Sequence, residues 1–226
     1  LEQEFSRYGL TITRQNMANW MIRLGESYLA VLYDYFHQKL YDYHVIQADE
    51  TPVLVNRDGR SAGSKSYMWV YRSGHLYTDK QIVLYDYHKT RNSSHPRKFL
   101  RDYSGICVTD GYQVYHTIEK EREDLRIAGC WVHARRKFDE ALNVIPKAHQ
   151  NKSDAFLVIK QIQAIYREEG KLNTLSSEER LMQRQLVIKP LVDALFVYLK
   201  KMEPTVPASG QLRKAYTYIL NQEKYL

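Results

Sequence analysis

The 226-residue chain is long enough to bury a core, either as one large domain or as one domain carrying a sizeable insertion. Its 33 Lys+Arg against 26 Asp+Glu leave a formal net charge of +7, which favours a polyanionic partner such as nucleic acid. Two cysteines, Cys107 and Cys130, exclude a disulfide framework and point to a reducing, cytoplasmic compartment. No run nears the ~18 consecutive apolar residues of a membrane helix, and nothing at the amino terminus resembles a signal peptide. Leu1 is not an initiator methionine, so the stretch reads as a piece of something longer.

Residues 1–40 read as helical. Met17, Trp20, Met21, Leu24, Tyr28, Leu32, Tyr35 and Phe36 recur with the 3.6-residue period of one buried face. Thr13 is the expected N-cap after a turn near Gly9. The run 11–16 also resembles the tight turn of a helix-turn-helix, although an amphipathic packing helix explains the same pattern.

From His44 the period changes to two. His44-Val45-Ile46-Gln47-Ala48 leads to Asp49, and Val53-Leu54-Val55 precedes a polar turn at 58–64. Tyr67-Met68-Trp69-Val70-Tyr71 and Ile82-Val83-Leu84-Tyr85-Asp86-Tyr87 are two further strands, joined by a hairpin-like connection around Gly74. Together they suggest an antiparallel meander. A short helix is expected over 93–103, then a strand Ile106–Thr109 ending in Asp110. A helical piece over 112–122, a strand over 125–129 and a helix over 131–145, stopped by Pro146, complete this part. Such strand-helix-strand units make the later strands parallel. A mixed five-stranded sheet of this order is the ribonuclease-H-like α/β arrangement, and it places Asp49 beside Asp110.

Beyond Pro146 no strand pattern returns. Ala155, Ile159, Ile162, Ile165 and Tyr166 mark one helix face. Ser176-x-x-Glu179 is a capping box opening a helix to about Met202, with Pro190 a kink or break. A last helix starts at Gln211. The expected organisation is an N-terminal helical segment (1–42), a ribonuclease-H-like core (43–146) and an all-helical insertion (147–226).

Two aspartates on neighbouring strand tips repel each other and call for a divalent cation; hard oxygen ligands suit Mg²⁺ or Mn²⁺. Each aspartate also has a plainer reading: Asp49 as a cap before Thr51-Pro52, and Asp110 as a turn former before Gly111.

Ala48-Asp49-Glu50-Thr51-Pro52-Val53, Thr109-Asp110-Gly111-Tyr112 and Cys130-Trp131-Val132-His133-Ala134-Arg135-Arg136-Lys137-Phe138 occur in that order. Together they resemble the DDE transposases of the insertion sequence sixty-six family. Tyr8-Gly9, Arg14-Gln15 and Asn19-Trp20 resemble the same family's lead-in. The resemblance implies a ribonuclease-H-like catalytic core that cuts and joins DNA ends with two divalent metals, Mg²⁺ or Mn²⁺. It makes Asp49 and Asp110 the first two catalytic acids and metal ligands, and Cys130 with His133 a Cys-x-x-His signature. The family's third acid lies in an Asn-Asn-x-x-Glu-Arg motif after the helical insertion. These 226 residues do not contain that motif, which implies a poor catalyst on their own. The implied partners are transposon ends and target DNA, with self-association in a synaptic complex, no membrane, and a nucleoid-associated location.

Other residues carry weaker signals. Glu50 alternates with Asp49 along the strand, so it should point to the opposite face and be structural. Glu140 lies on the helix after the last core strand, where a ribonuclease H carries an acid; with Glu140 as third ligand the chain would be a nuclease or resolvase. Cys130 and His133 are two ligands short of a zinc site, so packing at the root of the insertion competes with metal binding. Arg91, Arg97, Lys98, Arg135, Arg136 and Lys137, with Lys89 and Arg101, are candidate phosphate contacts, although charge runs are often solvated faces. A non-catalytic DNA-binding module with a relic acidic pair is the third reading.

Overall fold

The structure is a computed structural model that describes residues 1–55, 59–61, 63–74, 77 and 79–226. Within the turn expected at 58–64, Asp58 and Ala62 lie outside the described residues. So do 75, 76 and 78 of the Gly74 connection. Contacts divide the described chain into two compact units: residues 1–109 with 113–127, and residues 128–226 with 110–112.

The first unit opens with helices α1 (Glu2–Arg7), α2 (Arg14–Leu24) and α3 (Ala30–Leu40). The Thr13 side chain accepts from the Asn16 N–H at 3.2 Å, the N-cap expected there. A π-helical turn at Gly25–Leu29 links α2 to α3 without a break. The expected buried face does not form. Trp20, Met21, Leu24, Tyr28, Leu32, Tyr35 and Phe36 are all exposed. In α3 the packed side is instead Tyr33, His37 and Leu40, and Leu40 alone is fully buried. Periodicity reports that a helix is amphipathic; it does not say that the partner lies in the same chain.

Strands β1 (Val45–Leu54), β2 (Lys65–Ser73) and β3 (Val83–His88) form the antiparallel meander. After α4 (Ser94–Phe99), shorter than expected, β4 (Gly105–Thr109) runs parallel to β1. Helix α5 (Gln113–Lys120) and strand β5 (Leu125–Gly129) follow, giving a mixed five-stranded sheet in the order β3-β2-β1-β4-β5. Ile46, Trp69, Tyr71 and Cys107 are fully buried, and the Tyr71 ring stacks on Phe99 at 3.4 Å between centroids. Gly105, at φ +136°, opens β4 where no other residue fits: an added Cβ would lie 2.5 Å from the His44 carbonyl and 2.7 Å from the Tyr103 hydroxyl.

The second unit is helical: α6 (Trp131–Asn143), α7 (Lys147–Gln150), α8 (Asp154–Gly170), α9 (Ser177–Gln183), α10 (Lys189–Met202) and α11 (Gln211–Asn221). Its core joins Phe138 of α6, Val158 and Ile162 of α8, Leu195 and Leu199 of α10, and Tyr216 and Ile219 of α11. The Ser176–Glu179 capping box is present in both directions. The single helix expected from about 178 to 202 is divided by a π-helical turn at Arg184–Ile188, which ends two positions before Pro190. Proline has no N–H to donate, and the wider turn absorbs that missing bond without ending the helix.

Asp154, in the first turn of α8, accepts from the hydroxyls of both Tyr198 and Tyr216. Burial, then this carboxylate, pushes the Tyr198 phenol up to about 12 and moves Tyr216 upward as well. Both phenols therefore stay neutral donors through the physiological range. Asp154→Ala removes the shared acceptor and leaves two phenols unsatisfied, one of them on the fully buried Tyr216. The expected cost is about 2–3 kcal/mol in urea unfolding, larger than for Asp154→Asn, which keeps an acceptor.

Candidate metal centre

Asp49 sits in the middle of β1, not at its tip. Its neighbour on one side is β2, where Asp49 pairs with Val70. On the other side the parallel pairing with β4 runs only from Val45↔Ile106 to Gln47↔Val108. Continued by two residues, that register brings Asp49 opposite Asp110, which is bonded directly to the last residue of β4. The strand ends where the acids begin, so no backbone ladder fills the space beside Asp49.

One carboxylate oxygen from each of Asp49, Glu50 and Asp110 lies within 4.8 Å of the other two. This is the adjacency of Asp49 and Asp110 expected from the strand order, with a third member that the alternation rule had placed elsewhere. Alternation does hold for burial. Glu50 is opposite Trp69 in the register and shares the buried face with Ile46 and Ala48, and its side chain is only 2 % exposed. Asp49, on the other face, is exposed. A flexible three-atom stem still brings the Glu50 carboxylate to the same end of the gap. The sequence signal for this is the dipeptide Asp-Glu itself, because alternation fixes the direction of each Cβ and not the reach of the longer side chain.

Local hydrogen bonds set the geometry of each acid. The Glu50 N–H donates to Asp49 Oδ1 at 2.9 Å, and the Tyr112 N–H donates to Asp110 Oδ1 at 2.9 Å. The latter is an Asx-type turn, the plainer role foreseen for Asp110, and it coexists with membership of the cluster. Gly111 completes the turn at φ +84°, with the Gln222 side chain 2.7–2.9 Å from where a Cβ would stand. Arg91 Nε donates to Glu50 Oε1 at 2.7 Å, and its Nη2 reaches the same oxygen. Arg91 thus sets a guanidinium against the acids.

The remaining expected site residues lie outside this cluster. Glu140 pairs with Lys137 at 3.6 Å on α6, and Arg135 pairs with Asp139 at 3.5 Å. Arg97 forms a two-pronged contact with Glu121, one prong at 2.9 Å. Lys98 and Arg136 are exposed. Exposed ion pairs contribute at most about 1 kcal/mol, so these cations can exchange partners readily.

Cys130 is the N-cap of α6 and His133 lies in its first turn. Burial pushes the Cys130 thiol up, but hydrogen bonds from the His133 side chain and backbone outweigh it and hold the thiol below its ordinary range. Cys107 is wholly buried in β4, and burial drives its thiol far upward. The two thiols should therefore separate cleanly. Iodoacetamide at pH 7.5 is expected to alkylate Cys130 first, at a rate rising with pH through a midpoint below that of an ordinary thiol. His133→Ala should slow that reaction several-fold and leave Cys107 protected, as read by peptide mass spectrometry.

Comparison with known proteins adds the family. The model of the transposase IS66 family matches residues 1–226. The uncharacterized protein y4qI of Sinorhizobium fredii (strain NBRC 101917 / NGR234) is 28% identical over 234 residues, covering 100% of this chain and 42% of the relative. From the same organism, y4jD is 25% identical over 230 residues (96% and 43%), and y4hP is 25% identical over 232 residues (96% and 41%). The chain thus spans less than half the length of these curated relatives. Matched along its whole length by the family model, it belongs to the IS66 family of transposases.

Proposed function

We propose that this chain carries the acidic heart of a DDE-type transposase, with Asp49 and Asp110 as the catalytic acids that hold divalent metal. The observation that carries this reading is the convergence of the Asp49, Glu50 and Asp110 carboxylates where β4 stops beside β1. The strand order 3-2-1-4-5, with one acid on the first strand and one directly after the fourth, supports a ribonuclease-H-like core over residues 43–146. Family membership supports DNA as the partner: transposon ends and target, joined in a complex that holds two ends together.

The donor set fits Mg²⁺ or Mn²⁺. It is made of carboxylate oxygens, with no thiolate or imidazole among its members, and hard oxygen ligands select such ions. Bound there, a pair of these ions would supply the charge stabilisation for an in-line displacement at phosphorus. The chain's own residues prepare that site. The Tyr112 N–H fixes the Asp110 carboxylate in one rotamer, and the Glu50 N–H does the same for Asp49. Arg91 holds Glu50 and lowers the negative charge of the cluster. Lys98 and Arg136, being exposed, are the first candidates for contacts to DNA phosphates, ahead of the ion-paired Arg91, Arg97, Arg135 and Lys137.

Mn²⁺ titration of the 226-residue chain tests the assignment directly. Asp49→Asn and Asp110→Asn should each weaken binding at least about tenfold, because ligand charge sets the affinity of oxygen sites. Glu140→Gln should leave it unchanged; a loss there would favour the nuclease reading instead. Wild-type affinity in both aspartate variants would remove the metal centre.

In the intact protein, either Asp→Asn change is expected to lower DNA end cleavage at least about 100-fold, the scale of losing one electrostatic stabiliser of a transition state. Binding to DNA that is steeply salt-dependent, indifferent to Mg²⁺ and unaccompanied by cleavage would identify a binding module.

A further inference from the structure

We infer that Tyr218 of α11 is a positioning residue for the second acid, fastening the loop that presents Asp110. The inference rests on the metal reading of the acidic cluster and adds what holds one of its members in place. Residues 110–112 belong by their contacts to the helical unit, although Asp110 is bonded directly to the last residue of β4. The second acid is therefore seated by helices, not by the strand that leads to it.

That seat is made of printable geometry within the helical unit. The Tyr218 hydroxyl donates to the Asp110 backbone carbonyl at 2.6 Å. One residue on, Gly111 takes φ +84° with the Gln222 side chain 2.7–2.9 Å from where a Cβ would stand. The Tyr112 N–H turns back to Asp110 Oδ1 at 2.9 Å. Tyr218 thus holds the main chain of Asp110, and Tyr112 holds its carboxylate. A carboxylate tied to its own loop is only as well placed as the loop. A functional ligand must stay within about 0.5 Å of its productive position, and that needs support from outside the loop.

Helix α11 is anchored well enough to give it. Ala215, Tyr216 and Ile219 are buried in the helical core, where the Tyr216 ring meets Phe138 edge-on at 5.7 Å between centroids. Gln222 is 7% exposed, and its N–H is bonded to the carbonyls of Tyr218 and Ile219. Past it, the chain is tied to the root of α6. The Gly129 N–H donates to the Tyr225 carbonyl at 2.8 Å, and Trp131 Nε1 donates to the Leu226 carbonyl at 3.2 Å. Tyr218 lies between the buried face of α11 and this tether, so its hydroxyl has a fixed origin.

Amide exchange and Mn²⁺ binding by the 226-residue chain, well below its unfolding temperature, test the inference. Tyr218→Phe should speed exchange of the Tyr112 amide at least about tenfold. It should also weaken Mn²⁺ binding about tenfold, the scale of losing an outer-shell partner. Tyr198→Phe is the control: it removes a phenol hydrogen bond of the same unit, to Asp154, outside the acidic cluster. It should leave both readings at wild-type values. Should circular dichroism show that Tyr218→Phe does not fold, Gln222→Ala, which removes the wall beside Gly111, carries the same two expectations. Wild-type Mn²⁺ affinity in Tyr218→Phe overturns the inference, whether or not the amide exchanges faster. Equal losses in Tyr198→Phe also overturn it, because they mark general destabilisation. Asp110→Asn separates this inference from the metal reading. If it weakens binding and Tyr218→Phe does not, the metal centre stands and Tyr218 has no part in it; if neither does, both fall.

Discussion

Mutual repulsion of carboxylates is the constraint that Asp49, Glu50 and Asp110 must meet. Two unit charges at the separations found among Asp49, Glu50 and Asp110 oppose each other by about 1 kcal/mol in bulk water and about 3–4 at an effective dielectric of 20. A fold tolerates that only if the cluster is partly solvated, partly neutralised, or completed by a cation. All three remedies have a place here. Asp49 is exposed, Arg91 stands against Glu50, and the three oxygens face one another closely enough to share an ion. The early end of β4 makes the gap in which this happens.

The same economy of charge governs the basic side chains. A net charge of +7 suggests a broadly cationic surface. Most of the arginines and lysines singled out in the sequence nevertheless stand within reach of a carboxylate: Arg91 with Glu50, Arg97 with Glu121, Arg135 with Asp139, Lys137 with Glu140. The last three of these pairs are exposed and held loosely, whereas Glu50 is buried.

Much of this was legible in the residues themselves. The switch from a 3.6 to a 2-residue period at His44, the Thr13 and Ser176 caps and the strand order all follow from local chemistry, and the pairing of Asp49 with Asp110 follows from the order. What escaped was of two kinds. Glu50 joined the cluster because alternation fixes where a Cβ points and not where a long side chain ends. The apolar side chains of residues 14–40 looked like a core stripe because amphipathicity is blind to whether the covering surface belongs to the same molecule. The π-helical turn ahead of Pro190 is a third, smaller case: where a kink or break was expected, the helix carries a wider turn.

One hydrogen bond ties the loop at Asp110 to a helix that is synthesised much later. The Tyr218 hydroxyl donates to the backbone carbonyl of Asp110 at 2.6 Å, across 108 positions of sequence. Gln222, from the turn that follows the same helix, crowds Gly111. A ribosome delivers residues from the amino end, at roughly 5–20 per second. The strands can therefore pair many seconds before the loop that presents Asp110 meets the helix that fastens it. The loop's final shape is a late event, made possible only when α11 has been synthesised and has closed over it.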